Sequence, residues 1–495
     1  MARFLQHRWP LLVLFVLAIA TRLPFQSQIL YEHDSVNFAW AMEEFDLERH
    51  QPHAPGTFIV LILSARLLNF LLQDANQSLV MVNIIAMAIA ACAIYVLGNL
   101  WFNRTVGWIA AFLMLSSPLI WFYSEVGLSY TLELAWVILI AIACHHSRKG
   151  DRRALLISAL LLGLSGGIRP NTPIFLLPLW SVAAGLGWRE KSYRATDIIL
   201  ALGTGAIGVS LWGIPLLILS GGFDAYVSAI QIWLDSHLKD SDSLQEIISN
   251  LRLWLYTLVM TLGFVTIPLL RFAMARRSPI PPLAIRDWRT QAILLWSFPS
   301  IFYLTFVHFQ RQGHSYTVIP VVILLTALAL DRYLQQNRSR SPQSLKIWIV
   351  SFILCNSLLF IWGPSQWRTW AKIQDYDQFV EVRRDTIYQN FPPSSTTVLS
   401  SGHYARLVSY YFRDYFSATL GMILTDDFAL LDPRVNTLVL FDSRILGNLS
   451  PDIEVQELSL PQGDRASDAE HYRLRYIQWQ PSQEVKVSNQ SVIIK

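Results

Sequence analysis

Long apolar runs separated by short polar stretches fill the first three quarters of the chain and then stop. They fall at 9–26, 79–101, 105–122, 128–145, 153–167, 172–188, 198–220, 247–270, 290–308, 316–331 and 346–363. Runs of this kind carry a helix across roughly 30 Å of hydrocarbon, and a helix satisfies its own backbone N–H groups where there is no water. A lipid-facing barrel would show shorter, alternating segments. The pattern predicts a mainly α, polytopic membrane protein with about eleven transmembrane helices. Arg3 and Arg8 precede the first run, and Ala18-Ile19-Ala20 mimics a signal-peptidase site. The run is read as a retained anchor, since a polytopic chain commonly keeps its first helix.

One apolar run, 58–72, is left out of the count. It is short and carries Arg66 and Asn69, which suits an interfacial or re-entrant segment. The distribution of cations supports this choice. Inner loops then hold Arg3, Arg8, Arg104, Arg148, Lys149, Arg152, Arg153, Arg189, Lys191, Arg194, Arg271, Arg276, Arg277, Arg286, Arg289, Arg332, Arg338, Arg340 and Lys346. The short outer loops hold only Arg49, Arg66, Arg169, Lys239 and Arg311. If 58–72 spanned, every later loop would change sides and the bias would invert. The outer segments are 27–78, 123–127, 169–171, 221–246, 309–315 and the tail, 364–495.

The tail changes character. Short β-like runs at 396–400, 437–441 and 472–479, with an aromatic helical run at 404–416 between the first two, predict a small extramembrane α/β domain. The chain thus divides into a transmembrane domain, 1–363, and a tail domain, 364–495. Composition agrees: 53% of the residues are hydrophobic and 15% charged, against about 25% charged in a soluble chain. The 18 Trp and 18 Tyr suit interfacial aromatic belts. With a net charge of +4 and no basic, aromatic-interleaved stripe, nucleic acid is not an expected partner. Cys92, Cys144 and Cys355 all lie in apolar runs, so no disulfide framework is expected. The sequons at Asn76, Asn103, Asn337, Asn448 and Asn489 are weak signals, and no P-loop, G-x-G-x-x-G or G-x-S-x-G occurs.

Candidate chemistry gathers just after the first run. The segment 31–57 packs Glu32, His33, Asp34, Glu43, Glu44, Asp46, His50 and His53 into an otherwise apolar chain. Asp34 lies where a lipid phosphate head group would arrive. It suits a general base on an acceptor hydroxyl, a ligand to a divalent cation, or a solvated helix cap. His50 and His53 flank Pro52, with Pro55 and Gly56 beyond; the turn holds the imidazoles for a phosphate or sugar hydroxyl, or serves only as a rigid lead into 58–72. Glu125 sits at an outer helix end and Glu133 about two turns on, as functional carboxylates or as partners of a neighbouring arginine. Arg169, flanked by glycines and a proline, and the cluster Arg311, His314, Tyr316 mark the outer ends of later runs. They suit a phosphate or snorkelling anchors.

These residues together resemble the GT-C superfamily of membrane glycosyltransferases, in particular its protein O-mannosyltransferase and aminoarabinose transferase branch. There an acidic motif follows the first helix, a His-Pro-Pro-Leu-like turn leads into a juxtamembrane helix, and a second acidic residue comes in the next external loop. Here Asp34 matches the first, with Ser35 where many relatives carry Glu, and Glu43 or Glu44 is the candidate substitute. His53-Ala54-Pro55-Gly56 matches the turn, Glu125 the second acidic position, and His314-Ser315-Tyr316 with Pro320 a late Tyr-x-x-Pro-like segment. The resemblance covers residues 1–360 in organisation; the tail matches nothing.

The resemblance implies inverting transfer of a sugar from a polyprenyl-phosphate carrier to a lipid, glycan or protein acceptor at the outer face of the inner (plasma) membrane. Asp34 and Glu125 would be the catalytic carboxylates, and also the ligands of any divalent cation (Mg or Mn) that takes part. His33, Glu44, His50, His53, Arg169, Arg311, His314 and Tyr316 would bind substrate. The competing reading is a polytopic transporter or lipid flippase. Against it, the chain shows no internal repeat, and its ionisable residues collect at one face rather than at mid-bilayer. A non-catalytic assembly protein would leave the cluster after the first helix without a reason.

Overall fold

The structure is a computed structural model that describes residues 2–190, 192–237, 244–274, 286–336, 342–419, 429–430, 432–448, 453–461, 472–479, 485–487 and 492–494. Lys191, Lys239, Arg276, Arg277, Arg338, Arg340, Asn337 and Asn489 lie outside the described residues. The helices are α1 (Ala2–Arg22), α2 (Glu32–Glu43), α3 (Ile59–Leu72), α4 (Ala75–Trp101), α5 (Arg104–Ser116), α6 (Pro118–Ser124), α7 (Tyr130–Ser147), α8 (Arg152–Ser165), α9 (Asn171–Arg189), α10 (Ala195–Leu219), α11 (Phe223–His237), α12 (Leu244–Leu262), α13 (Thr266–Met274), α14 (Trp288–Phe306), α15 (Ile319–Gln336), α16 (Pro342–Trp362), α17 (Trp370–Asn390) and α18 (Ala405–Tyr411). The strands are β1 (Thr396–Ser400), β2 (Phe416–Thr419), β3 (Ala429–Leu430), β4 (Thr437–Leu440), β5 (Gln456–Ser459), β6 (Arg473–Gln478), β7 (Val485–Val487) and β8 (Val492–Ile494). Two compact units emerge: Met1–Gln26 with Ala41–Lys372, and Ser27–Trp40 with Ile373–Lys495.

Each apolar run of the sequence is helical over most of its length. Short polar side chains start many of these helices by accepting otherwise orphaned N–H groups. Asp74 takes Gln77 N–H at 2.8 Å, Asn103 takes Val106 N–H at 2.9 Å, and Asp151 takes those of Arg153 and Ala154. By length and hydropathy, α4, α7, α10 and the stretch Leu244–Leu270 qualify as membrane-crossing, and the bent pair α5–α6 makes a fifth. Length and composition of the described helices therefore do not by themselves reach eleven spans.

The expected single span at 105–122 is corrected: it is broken, and α5 and α6 meet at 62°. Pro118 has no N–H to give the preceding turn, and Ser117 restarts the helix by accepting Ile120 N–H at 3.4 Å. The run 58–72 is the short helix α3. Ile59, Leu61, Ile62 and Ala65 are buried, while Leu67, Phe70 and Leu71 are among its exposed residues.

Within the helical unit α4 and α7 form the interior, 72% and 78% buried along their apolar windows, and α10 is 11% buried. Fourteen-residue α8 meets α10 through glycines: a Cβ on Gly208 would stand 2.7 Å from Leu160 O, and one on Gly163 would overlap Gly205 O. Small residues that let backbones approach are a recurrent device of membrane helix pairs.

In the second unit β1 lies between parallel neighbours β2 and β4, and β6 and β5 continue antiparallel, in the order β2-β1-β4-β6-β5. Leu399, Leu438, Leu440, Ile445 and Ile477 form its core. The β-like runs at 396–400, 437–441 and 472–479 are β1, β4 and β6. The helical run expected to Phe416 instead ends at Tyr411, and Phe416 opens β2 opposite Thr397. Pairing with β1 outweighs local helicity in a segment whose aromatics also suit a strand.

Helix α17 was not anticipated. Its inward positions include Ile373, Asp377, Val380, Arg383 and Ile387, so two of them are charged. Arg383 donates to Phe441 O at 3.0 Å and lies 3.8 Å from the Phe379 ring centre; burial pulls it down to about 10. Asp377 accepts Ser27 Oγ–H at 2.8 Å and Gln28 N–H at 2.7 Å. Burial, against the pull of those donors, pushes its carboxyl up to about 7.

Two predictions follow from these contacts. Gly208→Val should force α8 and α10 apart and lower stability by about 1–3 kcal/mol, read as an earlier melting transition of the detergent-solubilised chain. The raised pKa of Asp377 favours its neutral form in the fold, so its contribution is complete below the ordinary carboxylate range and is lost as pH rises through about 7. The wild-type melting temperature should therefore fall between pH 5 and 8 relative to Asp377→Asn, whose side chain stays neutral.

Candidate functional site

The bend between α5 and α6 sets Glu125 at the end of α6, where it is fully buried. Its carboxylate oxygens make no hydrogen bond of ordinary geometry. Burial raises its pKa well above the usual carboxylate range, while the Arg22 guanidinium and the Trp121 indole pull the other way. Arg22, at the end of α1, is itself buried. It donates to Leu115 O at 2.7 Å and lies 4.4 Å from the Trp121 ring centre.

Glu133, in the first turn of α7, has a closer partner. Arg169 Nε is 3.4 Å from one oxygen and Thr172 Oγ donates to the other at 2.5 Å. Arg169 also donates to Ser129 Oγ at 3.2 Å and stands 4.7 Å from the Tyr130 ring centre. An arginine partner was one of the two readings open for Glu133, and Arg169 is that neighbour.

The turn Gln312–Thr317, between α14 and α15, carries His314 and Tyr316. His314 stacks on His308 at 5.6 Å and meets Tyr130 at 5.8 Å. Its pKa is pushed well below the ordinary imidazole value, first by burial and then by the positive field of Arg169, His308, Arg311 and His53. His53, Arg169 and Arg311 thus act electrostatically on His314, from three separate loops, Arg311 and His314 sharing the one between α14 and α15. Tyr316 is buried, its hydroxyl donating to Leu119 O at 2.9 Å. Glu44 and His50 do not share in this grouping. Glu44 is largely exposed and pairs loosely with Arg49 at 3.7 Å, on the turn closed by the Asp46–Gln51 bridge. His50 is exposed on that turn, at φ 57°.

Three cations missed by the sequence reading lie nearby. A cleft of 740 Å³ is lined by Arg252, Arg368 and Lys372, together with Glu246, Tyr256, Gln310 and Gln312. Gln312 joins it to the His314 turn, since its side-chain oxygen accepts Arg368 Nη–H at 3.0 Å and Tyr123 O–H at 3.2 Å. Arg252 is a lone charge in an apolar run, and Arg368 follows closely on the last one; a search for cations at run ends would have found both.

Asp34 belongs to the second unit, with Ser27–Trp40. It lies in the first turn of α2, so it is not the N-cap, and its side chain is partly exposed. The adjacent His33 donates through Nε2 to His403 O at 2.5 Å. Among the described residues no group of three or more His, Cys, Asp or Glu side chains is placed to hold a metal ion.

No protein-family model matches the sequence, and no curated protein matches it. Solved structures do. ArnT, the aminoarabinose transferase, from Cupriavidus metallidurans matches over 94% of this chain and 96% of its own, at 11% identity and a TM-score of 0.57, in a crystal structure bound to undecaprenyl phosphate. Its apo form matches equally, over 97% of its length. The oligosaccharyltransferase of Archaeoglobus fulgidus, tethered to an acceptor peptide, matches over 88% of this chain and 69% of its own, at 12% identity and a TM-score of 0.45. With 94% of its length matched at a TM-score of 0.57, the chain shares the fold of ArnT.

Proposed function

We propose that the protein is a glycosyltransferase that moves a sugar from a polyprenyl-phosphate carrier to a hydroxyl of a lipid, glycan or protein acceptor at the outer face of the inner (plasma) membrane, with its tail domain extracytoplasmic. The observation that carries this reading is the cleft in which Arg252, Arg368 and Lys372 meet beside Gln312. Clustered guanidinium and ammonium groups match the leaving phosphate, and arginine meets phosphate oxygens in a two-pronged fork. The fold is that of ArnT, a protein crystallised with undecaprenyl phosphate. Apolar helices long enough to cross a membrane suit a donor that arrives within the bilayer.

In this reading Asp34 takes the proton of the acceptor hydroxyl. The freed oxygen attacks the anomeric carbon from the face opposite the phosphate, the bond from that carbon to the phosphate oxygen breaks, and polyprenyl phosphate departs with both electrons of that bond. Arg252, Arg368 and Lys372 neutralise the charge that develops on it. Arg311 and His314 add polar and positive character around the sugar, with His33 and His53 as further contacts. Glu125 acts as the second carboxylate and Tyr316 holds the wall of the site. Arg169, already paired with Glu133, serves mainly to place Tyr130 and the His314 turn. Glu44 and His50 are assigned to the rim.

The test uses purified full-length protein and a panel of polyprenyl-phosphate sugars, following release of free lipid phosphate with and without EDTA; the chelator arm reads metal dependence separately. Asp34→Asn should lower transfer by a factor on the order of 100 or more with the melting temperature retained. Full activity in that variant overturns the role of Asp34. Arg368→Ala and Lys372→Ala should each weaken inhibition by added polyprenyl phosphate about tenfold or more, the loss of one charge-assisted hydrogen bond. Unchanged inhibition in both removes the cleft from the phosphate site.

A further inference from the structure

The segment leading into α2 is fastened by side chains from the other end of the sequence. Gln28 N–H donates to Asp377 Oδ2 at 2.7 Å, Leu30 N–H to Tyr411 Oη at 3.0 Å, and Glu32 N–H to Tyr376 Oη at 3.0 Å. Three alternate amides are thus taken by three tail side chains, from α17 and α18. Ser27 Oγ–H adds a bond to Asp377 Oδ1 at 2.8 Å, and the Tyr31 and Tyr376 rings meet at 4.8 Å. Further along, His33 is bonded to His403 O, and Trp40 lies 5.3 Å from the Tyr410 ring and 4.0 Å from the Arg413 guanidinium. Both ends of the Asp34 helix are therefore gripped within the second unit.

Glu32 shows what the grip does. Its φ of 58° lies in the left-handed region, which a residue with a Cβ adopts only against a cost. Such a conformation persists where its surroundings over-determine it. Here the Tyr376 hydroxyl holds the amide of Glu32 itself and Tyr411 that of Leu30. The distorted residue stands two positions before Asp34, so its dihedrals set the direction in which α2 starts.

We infer that Asp377, Tyr376 and Tyr411 are positioning residues for Asp34, and that the tail serves to aim the base-bearing segment. This rests on the role proposed for Asp34. None of the three needs to touch substrate; each acts through the backbone of residues 28–32. A task of mere attachment would be met by apolar burial alone, whereas three directional bonds to alternate amides specify a geometry.

The experiment compares Tyr376→Phe, Tyr411→Phe, Asp377→Ala and Asp377→Asn in the full-length chain by hydrogen exchange and by turnover of the donor that the panel identifies. Loss of one hydroxyl or carboxylate partner should speed exchange at residues 28–32 about fivefold to tenfold. It should lower kcat by a factor on the order of 10 to 100, with KM for the donor and the melting temperature near wild type. Asp377→Asn keeps an acceptor for Gln28 N–H and a donor for Ser27 Oγ, and should restore both readouts most of the way. Unchanged exchange in Asp377→Ala and Tyr376→Phe overturns the inference, and so does faster exchange with unchanged kcat. Hydrogen exchange needs no turnover, so it reads the positioning even if no donor is used. Activity lost in Asp34→Asn but kept in Asp377→Ala condemns the positioning role alone, whereas activity kept in Asp34→Asn condemns the role of Asp34.

Discussion

A charge taken out of water must meet an opposite charge or a set of hydrogen bonds, and much of the helical unit answers to that constraint. Glu133 is satisfied by Arg169 and Thr172, which ties the start of α7 to the start of α9. Arg22 is satisfied by Leu115 O, the Trp121 ring and the field of Glu125, which ties the end of α1 to the bend between α5 and α6. Removing one member of such a pair strands the other in a poor solvent, at a cost of about 3–5 kcal/mol. The same constraint shapes the neighbourhood of His314. Burial first, and then the positive field of Arg169, His308, Arg311 and His53, pushes its pKa well below the ordinary imidazole value.

What the amino-acid pattern disclosed follows the strength of its signals. Apolar runs produced helices because burial and backbone hydrogen bonding favour the same outcome over many residues. The break at Ser117-Pro118 was carried by two residues inside one apolar run, so hydropathy passed over it although proline chemistry accounts for it. Helix α17 was hidden for the opposite reason. Its inner face includes Asp377 and Arg383, which reads as solvated surface until their partners Ser27, Gln28 and Phe441 O are known. A residue type reports an average environment, and these two occupy an exceptional one.

The candidate site divides in the same way. His53, Arg169, Arg311 and His314 were singled out because each sits in a loop that the cation bias assigned to one side of the membrane, and the first three act electrostatically on His314. Arg252, Arg368 and Lys372 were not, since one stands alone within an apolar run and two fall in a tail that matched no family. A neighbouring arginine was one of two readings open for Glu133, and which arginine it is could be seen only from the geometry. Nothing local to the segment 27–40 announces that it folds with the tail, because its partners contribute single hydroxyls and one carboxylate from remote parts of the chain.

That remoteness has a consequence for biosynthesis. Ser27 and Asp377 are 350 positions apart, so the segment bearing Asp34 leaves the ribosome well before the side chains that clasp it. At roughly 5–20 residues per second, about 20 to 70 seconds separate the two events. During that interval the segment 27–40 exists without the side chains that fix its backbone. A chain whose synthesis stops before Tyr376 never acquires the clasp, however well its earlier helices form.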